Sequence, residues 1–209
     1  RIAPKLLERL VEVARGIRLG DGLEAGTQMG PLVSRAQYDK VMGYIEDGKK
    51  AGATLLCGGV RPAALPHGYF VAPTIFTDVS PDMRIWREEI FGPVLVVTTF
   101  KDDEEALGLA NGSEYGLAAA IMSRDEARCA RFVKGFDAGI VWVNDSQPTF
   151  VEAPWSGRKK SGIGAELSHL GFEAYLVPKQ VTTKKGTFAT GPAEGSEPAL
   201  PSEPAAQQD

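Results

Sequence analysis

The sequence contains little cysteine and histidine, and neither is arranged as in a typical metal site. Its 209 residues include two cysteines, Cys57 and Cys129, and two histidines, His67 and His169, with no C-x-x-C pair. A disulfide framework or a zinc site needs several such residues at defined spacings. The sequence therefore predicts no metal site, and it favours a reducing compartment such as the cytosol, a plastid or the peroxisome.

The sequence also lacks a long apolar run, an excess of positive charge and a glycine-rich phosphate motif. No stretch approaches the roughly 18 apolar residues of a transmembrane helix, so we expect no membrane span. The net charge is −4, and residues 186–209 hold four acidic residues but no Lys or Arg, which leaves the rest neutral. A neutral body offers no electrostatic footprint for nucleic acid. Neither G-x-G-x-x-G nor G-x-x-x-x-G-K-S/T occurs, so no phosphate-binding loop is predicted.

The two ends of the sequence differ in character. Residues 184–209 combine acidic side chains with Gly, Ser, Ala and repeated Pro, a composition that buries too little apolar surface to order. We predict that they form a disordered acidic tail. At the other end there is no initiating Met, and Arg1 opens directly into apolar positions with helical spacing. This beginning suggests a fragment of a longer protein, although a processed precursor would look the same.

Hydrophobic periodicity predicts alternating helices and strands. Ser34 is suited to cap a helix that ends near Gly52. Further on, apolar strands alternate with helices of about ten residues, which is typical of parallel strands buried on both faces. The sequence therefore predicts the α/β class. The predicted strands are 53–57, 94–100, 117–122 and 140–144, with helices at 102–110 and 125–134. Residues 69–75 are predicted to be extended, and Pro73 favours an edge or irregular position for them.

A final strand is predicted at residues 174–183. It contains Pro178, which suits an exposed edge rather than the middle of a sheet. An exposed edge pairs readily with another chain. We therefore expect a homo-oligomer, a dimer or a tetramer, assembled through this strand.

Three motifs resemble one enzyme family. Glu88-Glu89-Ile90-Phe91-Gly92-Pro93-Val94 is followed by Trp142-Val143-Asn144-Asp145-Ser146-Gln147-Pro148 and then by Ala153-Pro154-Trp155-Ser156-Gly157. Together they resemble the C-terminal part of aldehyde dehydrogenases, most closely the plant-type betaine aldehyde and aminoaldehyde subgroup. The resemblance implies that residues 1–183 are mostly catalytic domain, with an α/β layer and an edge strand for oligomerisation at 174–183.

The resemblance implies a nucleotide site built by four residues. Glu89 would accept hydrogen bonds from the nicotinamide ribose, Phe91 would pack beside it, and Gln37 and Lys40 would reach ribose or phosphate oxygens. A carboxylate can accept from two vicinal hydroxyls. On spacing alone, the glutamates would be solvated charges before a strand, and Gln37 and Lys40 an exposed helix face. The implied cofactor is NAD, and NADP stays open.

The resemblance also implies a substrate pocket around Trp155, Ile140, Asn144 and Phe150. An ammonium group over the indole of Trp155 would gain cation–π stabilisation, whereas the simpler interpretation is a core tryptophan. Ile140 stands where a small residue would leave room for a trimethylammonium head, so its bulk favours ω-aminoaldehydes. Ser156 replaces a glycine of the subgroup, which would matter if the backbone there needs positive φ.

The predicted function is NAD(P)-dependent oxidation of an aldehyde to the carboxylic acid, within a longer enzyme. The resemblance places the nucleophilic cysteine upstream of Arg1, so no catalytic residue is assigned here; Cys57 and Cys129 suit structural positions. The alternative is a non-catalytic assembly module that oligomerises with intact dehydrogenase subunits. We expect the partners to be a small aldehyde and further copies of the chain, with no nucleic acid and no membrane.

Overall fold

The computed structural model describes residues 2–186, and the chain divides into two units, Arg1–Tyr175 and Leu176–Asp209. The first unit carries all the helices and strands of the described residues. The helices are α1 (Ala3–Gly16), α2 (Arg35–Lys50), α3 (Arg84–Arg87), α4 (Asp103–Asn111), α5 (Glu126–Gly135) and α6 (Ser168–Glu173). The strands are β1 (Thr54–Cys57), β2 (Thr74–Thr77), β3 (Val94–Val96), β4 (Tyr115–Gly116), β5 (Ala118–Ile121), β6 (Ile140–Val143), β7 (Trp155–Ser156), β8 (Arg158–Lys159) and β9 (Ala165–Glu166).

Helix α2 begins and ends where its sequence indicates. The Ser34 hydroxyl accepts a hydrogen bond from the Gln37 backbone N–H at 3.2 Å, which satisfies one of the free N–H groups of the first turn. Gly52 follows the last turn with φ 91°, a conformation open to glycine. The predicted helix and its cap are confirmed.

The first half of the unit folds around a three-stranded sheet in the order β1-β2-β3. Strand β2 pairs antiparallel with β1 and parallel with β3. The prediction that the segment around Pro73 is an edge or irregular segment is confirmed in its second form, because Pro73 lies in irregular backbone just before β2 and leaves that central strand free of proline. The core between this sheet and α2 is fully buried at Val41, Ile45 and Phe76.

The second half pairs β5 with β6 in parallel, and α4 and α5 pack on this pair. Its core consists of Ile121, Cys129, Phe132 and Phe136. The prediction that these strands are buried on both faces is wrong within the described residues, since only Ile121 of the two strands is buried. The pair has no third strand among residues 2–186, so the outer edges of β5 and β6 are unpaired there.

The last part of the unit consists of two short antiparallel pairs, β4 with β8 and β7 with β9, followed by α6. The predicted strand at 174–183 does not begin at Ala174, because Ala174 caps α6 and the Tyr175 N–H bonds to the Phe172 carbonyl at 3.1 Å. In the second unit, residues 176–186 form neither helix nor strand. Pairing of this segment with another chain stays a prediction, and most of the predicted disordered tail lies outside the described residues.

No helix of the described chain is both long and apolar enough to cross a membrane. Nor do residues 2–186 contain a group of three or more His, Cys, Asp or Glu side chains placed to hold a metal ion.

Candidate functional site

The acidic-aromatic motif forms a turn between α3 and β3, which we call the 88–92 turn. Its first residue, Glu88, closes α3 with a backbone N–H bond to the Arg84 carbonyl at 3.0 Å. Phe91 has φ 56°, in the left-handed region that a phenylalanine rarely adopts. A backbone held in that region by its surroundings is a feature of binding sites.

The carboxylate of Glu88 is held by two neighbours. The Tyr44 hydroxyl donates to its Oε2 at 2.6 Å, and the Arg84 Nε donates to the same oxygen at 3.0 Å. The Arg84 guanidinium, followed by the Tyr44 hydroxyl, keeps the pKa of Glu88 below its usual value. The same bond to Glu88 raises the pKa of Tyr44, so the hydroxyl keeps its proton. Glu88 is therefore a fixed anion at neutral pH.

Glu89 and Phe91 are not held in this way. The Glu89 carboxylate accepts no hydrogen bond and forms no ion pair with any residue in the range 2–186. It lines an open cavity of about 570 Å³, and Phe91 is 71% exposed. Other residues around this cavity include Trp86, Tyr115, Lys160 and Ser161. The unpaired carboxylate of Glu89 and the exposed ring of Phe91 thus belong to the same turn, with one residue between them.

Gln37 and Lys40 lie on the face of α2 that meets the turn. The Gln37 side-chain amide donates to the carbonyl oxygens of Ile90 at 3.1 Å and Phe91 at 2.7 Å. Lys40 is exposed, with its Nζ 5.7 Å from the Tyr44 ring centroid. The structure thus brings Gln37 to the turn and Lys40 to the neighbouring Tyr44 ring, and it assigns the Gln37 amide to the turn's own backbone.

Three of the four predicted substrate residues line one cavity. Ile140 on β6, Phe150 in the following loop and Trp155 on β7 surround about 210 Å³ together with Trp142. The Trp142 and Trp155 rings lie 6.4 Å apart between centroids, tilted by 56°. Trp155 pairs with Glu166 in a short antiparallel ladder. Both tryptophans are only partly buried, which leaves ring surface facing the cavity.

The fourth residue, Asn144, lies elsewhere and is engaged in the fold. It follows β6 with φ 56°, and its Oδ1 accepts from the Ser123 N–H at 2.8 Å. Its own N–H bonds to the Ile121 carbonyl at 2.8 Å. Asparagine tolerates the left-handed region better than most residues, so the geometry gives Asn144 a role in closing β5 against β6.

Ser156 and the two cysteines have no direct part in either cavity's chemistry. Ser156 does not have positive φ, so its substitution for glycine carries no backbone strain. Cys57 and Cys129 are both buried and unbridged, and each thiol contacts a backbone carbonyl. Neither thiol reaches either cavity.

A family model provides the deciding comparison. Residues 1–181 match the model described as the aldehyde dehydrogenase family. The chain belongs to this family.

Curated relatives agree with this assignment. The aldehyde dehydrogenase chain is similar to the chloroplastic betaine aldehyde dehydrogenase of Beta vulgaris, with 53% identity over 182 residues. It is similar to the peroxisomal aminoaldehyde dehydrogenase 1 of Pisum sativum, with 54% identity over 181 residues. In both cases the match covers 87% of this chain and 36% of the relative. The chain thus spans little more than a third of the relatives' length.

Solved structures share the fold. The betaine aldehyde dehydrogenase of Staphylococcus aureus in complex with NAD+ is 40% identical with a TM-score of 0.81, over 88% of this chain and 39% of that one. An aldehyde dehydrogenase from Bacillus cereus is 45% identical with a TM-score of 0.81, over 83% and 35%. These structures confirm the predicted α/β class and family fold.

Sequence reasoning missed two side chains of the site, Tyr44 and Trp142. Tyr44 stands seven residues after Gln37, a spacing that places both on one face of α2. Trp142 alternates with Ile140 along β6, so both side chains leave the strand on the same side. Both signals were present in the sequence as periodicity.

Proposed function

We propose that the 88–92 turn binds the nicotinamide ribose of NAD+ in an enzyme that oxidises an aldehyde to the carboxylic acid. The observation that carries this proposal is the unpaired Glu89 carboxylate, which stands between Glu88 and Ile90 while both of these are anchored to α2. The S. aureus structure that contains NAD+ supports the choice of cofactor.

The side chains of the 88–92 turn and of α2 are suited to bind a nicotinamide ribose. The two oxygens of Glu89 can each accept a hydroxyl of a ribose diol, and the exposed ring of Phe91 offers a flat apolar wall beside it. Lys40, exposed on the adjoining helix face, supplies a positive charge for a phosphate or ribose oxygen. When bound, the nicotinamide accepts the hydride of the aldehyde. The part of this chain is to hold the ribose in one orientation, which fixes the ring relative to the substrate.

The nucleophile of the reaction is proposed to come from a part of the enzyme outside these residues. A reactive thiol needs an exposed setting that favours the thiolate. Cys57 is 9% exposed and Cys129 is 6% exposed, and both belong to apolar clusters. The 209-residue chain is therefore expected to bind and position rather than to turn over alone.

We propose a cationic aldehyde as substrate, with ω-aminoaldehydes favoured over betaine aldehyde. The cavity of about 210 Å³ has two indole rings in its wall, and an indole face attracts an ammonium group. Ile140 is bulky and β-branched, and it narrows the space available to a trimethylammonium head. The names of the two plant relatives, one for each substrate, support this class.

A chimera tests the proposed function. We would join the upstream part of the Beta vulgaris enzyme to all 209 residues of this chain and compare the chimera with the 209 residues alone in NAD+-dependent aminoaldehyde oxidation. We expect turnover only in the chimera. Glu89→Gln is expected to weaken NAD+ binding about tenfold, since it removes a charge-assisted acceptor. The matched control is Glu8→Gln, because Glu8 is likewise exposed and unpaired within residues 2–186. Equal NAD+ affinity in the two variants would refute the ribose role.

Assembly through the C-terminal segment is a second proposal. In the second unit, Leu176, Val177 and Val181 are 55%, 91% and 78% exposed. Their backbone has no ladder partner among residues 176–186, so it can pair with a strand of another chain. Sedimentation of the chain with and without Val177→Lys tests this, and a monomer in both cases would refute it. Self-association is expected both of a catalytic subunit and of a non-catalytic assembly module, so it does not distinguish these two hypotheses. Turnover by the chimera would support the catalytic subunit.

We also propose a reducing compartment. The two cysteines are buried and unbridged, and the plant relatives are named chloroplastic and peroxisomal.

A further inference from the structure

Helix α2 holds the 88–92 turn from one face at three points. Gln37, Val41 and Tyr44 recur at spacings of three and four residues, so they share that face. Gln37 binds the carbonyls at the far end of the turn. Val41 packs so tightly on Gly92 that a Cβ there would lie 2.6 Å from its Cγ2. Tyr44 binds the Glu88 carboxylate at the near end.

The Tyr44 hydroxyl has a fixed direction. Its ring is 3% exposed in the α2 core and cannot swing away from Glu88 without disturbing that core. Arg84 covers the ring, with its guanidinium carbon 4.2 Å from the centroid, and donates to both Glu88 at 3.0 Å and Asp47 at 2.7 Å. The hydroxyl and the guanidinium thus hold one carboxylate oxygen together.

Resting on the ribose site proposed above, we propose that Tyr44 is a positioning residue for the nucleotide. Its hydroxyl fixes Glu88, and this restricts the neighbouring Glu89 to the conformation that meets the ribose hydroxyls. Tyr44 itself does not touch the nucleotide.

The physical basis is the cost of ordering Glu89. The residue lies between two anchors, Glu88 on Tyr44 and Ile90 on Gln37. With both in place, its backbone is already ordered before the nucleotide arrives, so binding loses less conformational entropy. With the Glu88 anchor removed, the contacts to ribose would be the same, but the nucleotide would have to order the turn.

Tyr44→Phe in the chimera tests the role. It removes the hydroxyl and keeps the buried ring. We expect the Kd for NAD+ to rise about three- to tenfold, with the KM for aldehyde and the kcat at saturating NAD+ nearly unchanged. The matched control is Tyr38→Phe on the same helix, where the hydroxyl also faces an arginine, Arg61 Nε, at 3.4 Å. A general loss of stability would also change the kcat or the KM for aldehyde, so a change in the Kd for NAD+ alone indicates a positioning role.

Glu88→Gln is a second variant. Because Glu88 is exposed, this substitution does not disturb the buried core. We expect it to weaken NAD+ binding. We expect the double variant Tyr44→Phe/Glu88→Gln to bind NAD+ no more weakly than the single variant with the larger loss, because both substitutions disrupt the Tyr44–Glu88 contact. Tyr44→Phe behaving like Tyr38→Phe, or strictly additive effects in the double variant, would overturn the positioning role. If Glu89→Gln weakens NAD+ binding in the same assay while Tyr44→Phe does not, only the positioning role fails. If neither has an effect, the ribose site itself is wrong.

Discussion

The side-chain amide of Gln37 lies 2.7 Å from the carbonyl oxygen of Phe91, and it also reaches the Ile90 carbonyl at 3.1 Å. One helical side chain therefore satisfies two consecutive carbonyls of a turn whose backbone includes a strained residue. This bond is one of three contacts between α2 and the proposed nucleotide site.

Replacing Gln37 with Glu is expected to lower the free energy of unfolding by about 1–3 kcal/mol, since the carboxylate has no N–H to donate and faces two carbonyl oxygens. Urea denaturation of the chain measures this. The control is Asp39→Asn, which changes an exposed acid on the same helix. A Gln37→Glu variant within about 0.5 kcal/mol of the parent, the range of an ordinary surface change, would contradict the contact.

Gly92→Ala is expected to destabilise the chain by about 1–3 kcal/mol, because the new Cβ would overlap the buried Val41. Its φ is not positive, so the cost is steric rather than conformational. Gly43→Ala on α2 has open space around it and should raise stability by up to about 1 kcal/mol through helix propensity. Thermal unfolding of both variants gives the comparison, and the cost of Gly92→Ala should shrink in a Val41→Ala background.

Phe91→Asn is expected to separate stability from binding. Asparagine tolerates φ 56° better than phenylalanine, so the free energy of unfolding should rise by up to about 1 kcal/mol, while the chimera should bind NAD+ more weakly without the ring. Phe100→Asn is the control, because Phe100 is also an exposed phenylalanine, at 50%, and has no positive φ. It should lower stability. A larger loss in Phe91→Asn than in Phe100→Asn would show that the Phe91 backbone is unstrained.

The hold on Glu88 is expected to depend on pH in a defined direction. The Arg84 guanidinium and the Tyr44 hydroxyl lower the pKa of Glu88 from its ordinary 4.5. A lowered carboxylate pKa stabilises the fold fully above the unfolded value, and the benefit is lost as the pH falls through the folded value. The Tyr44 pKa is raised from 10.0, chiefly by its bond to Glu88, so its contribution is complete below pH 10.0 and is lost above the folded value.

The measurement is the difference in Tm between the parent and Glu88→Gln. We expect a constant difference from about pH 4.5 to 10 and a decline outside that window. Glu8→Gln serves as the reference for general acid effects. A difference that grows as the pH falls below 4.5 would have the wrong sign for this network.

Ile140→Ala in the chimera is expected to shift the ratio of kcat/KM values toward betaine aldehyde over an aminoaldehyde by about tenfold or more. The substitution removes three side-chain carbons from the cavity wall and so enlarges the cavity. Val143→Ala on the same strand lies outside the cavity and should leave the ratio unchanged. An equal shift in both variants would show that Ile140 does not set the pocket width.

The sequence by itself determined the local structure and the family. The Ser34 cap, the helix ended by Gly52 and the alternating helices and strands follow from interactions within a few residues, and the structure confirms them. The three motifs indicated the family because each is a contiguous run of residues that can be recognised without the tertiary structure. Local patterns left open whether the segment around Pro73 is an edge or irregular, and strand order decides that the β2 strand after it is central.

The tertiary structure alone decided which partners meet. Gln37 contacts carbonyls 53 and 54 residues away, and Tyr44 contacts Glu88 at a separation of 44. It also placed Trp142 beside Trp155 and withdrew Asn144 from the pocket. Periodicity shows the face on which a side chain lies, but the packing of one element on another decides what that face meets.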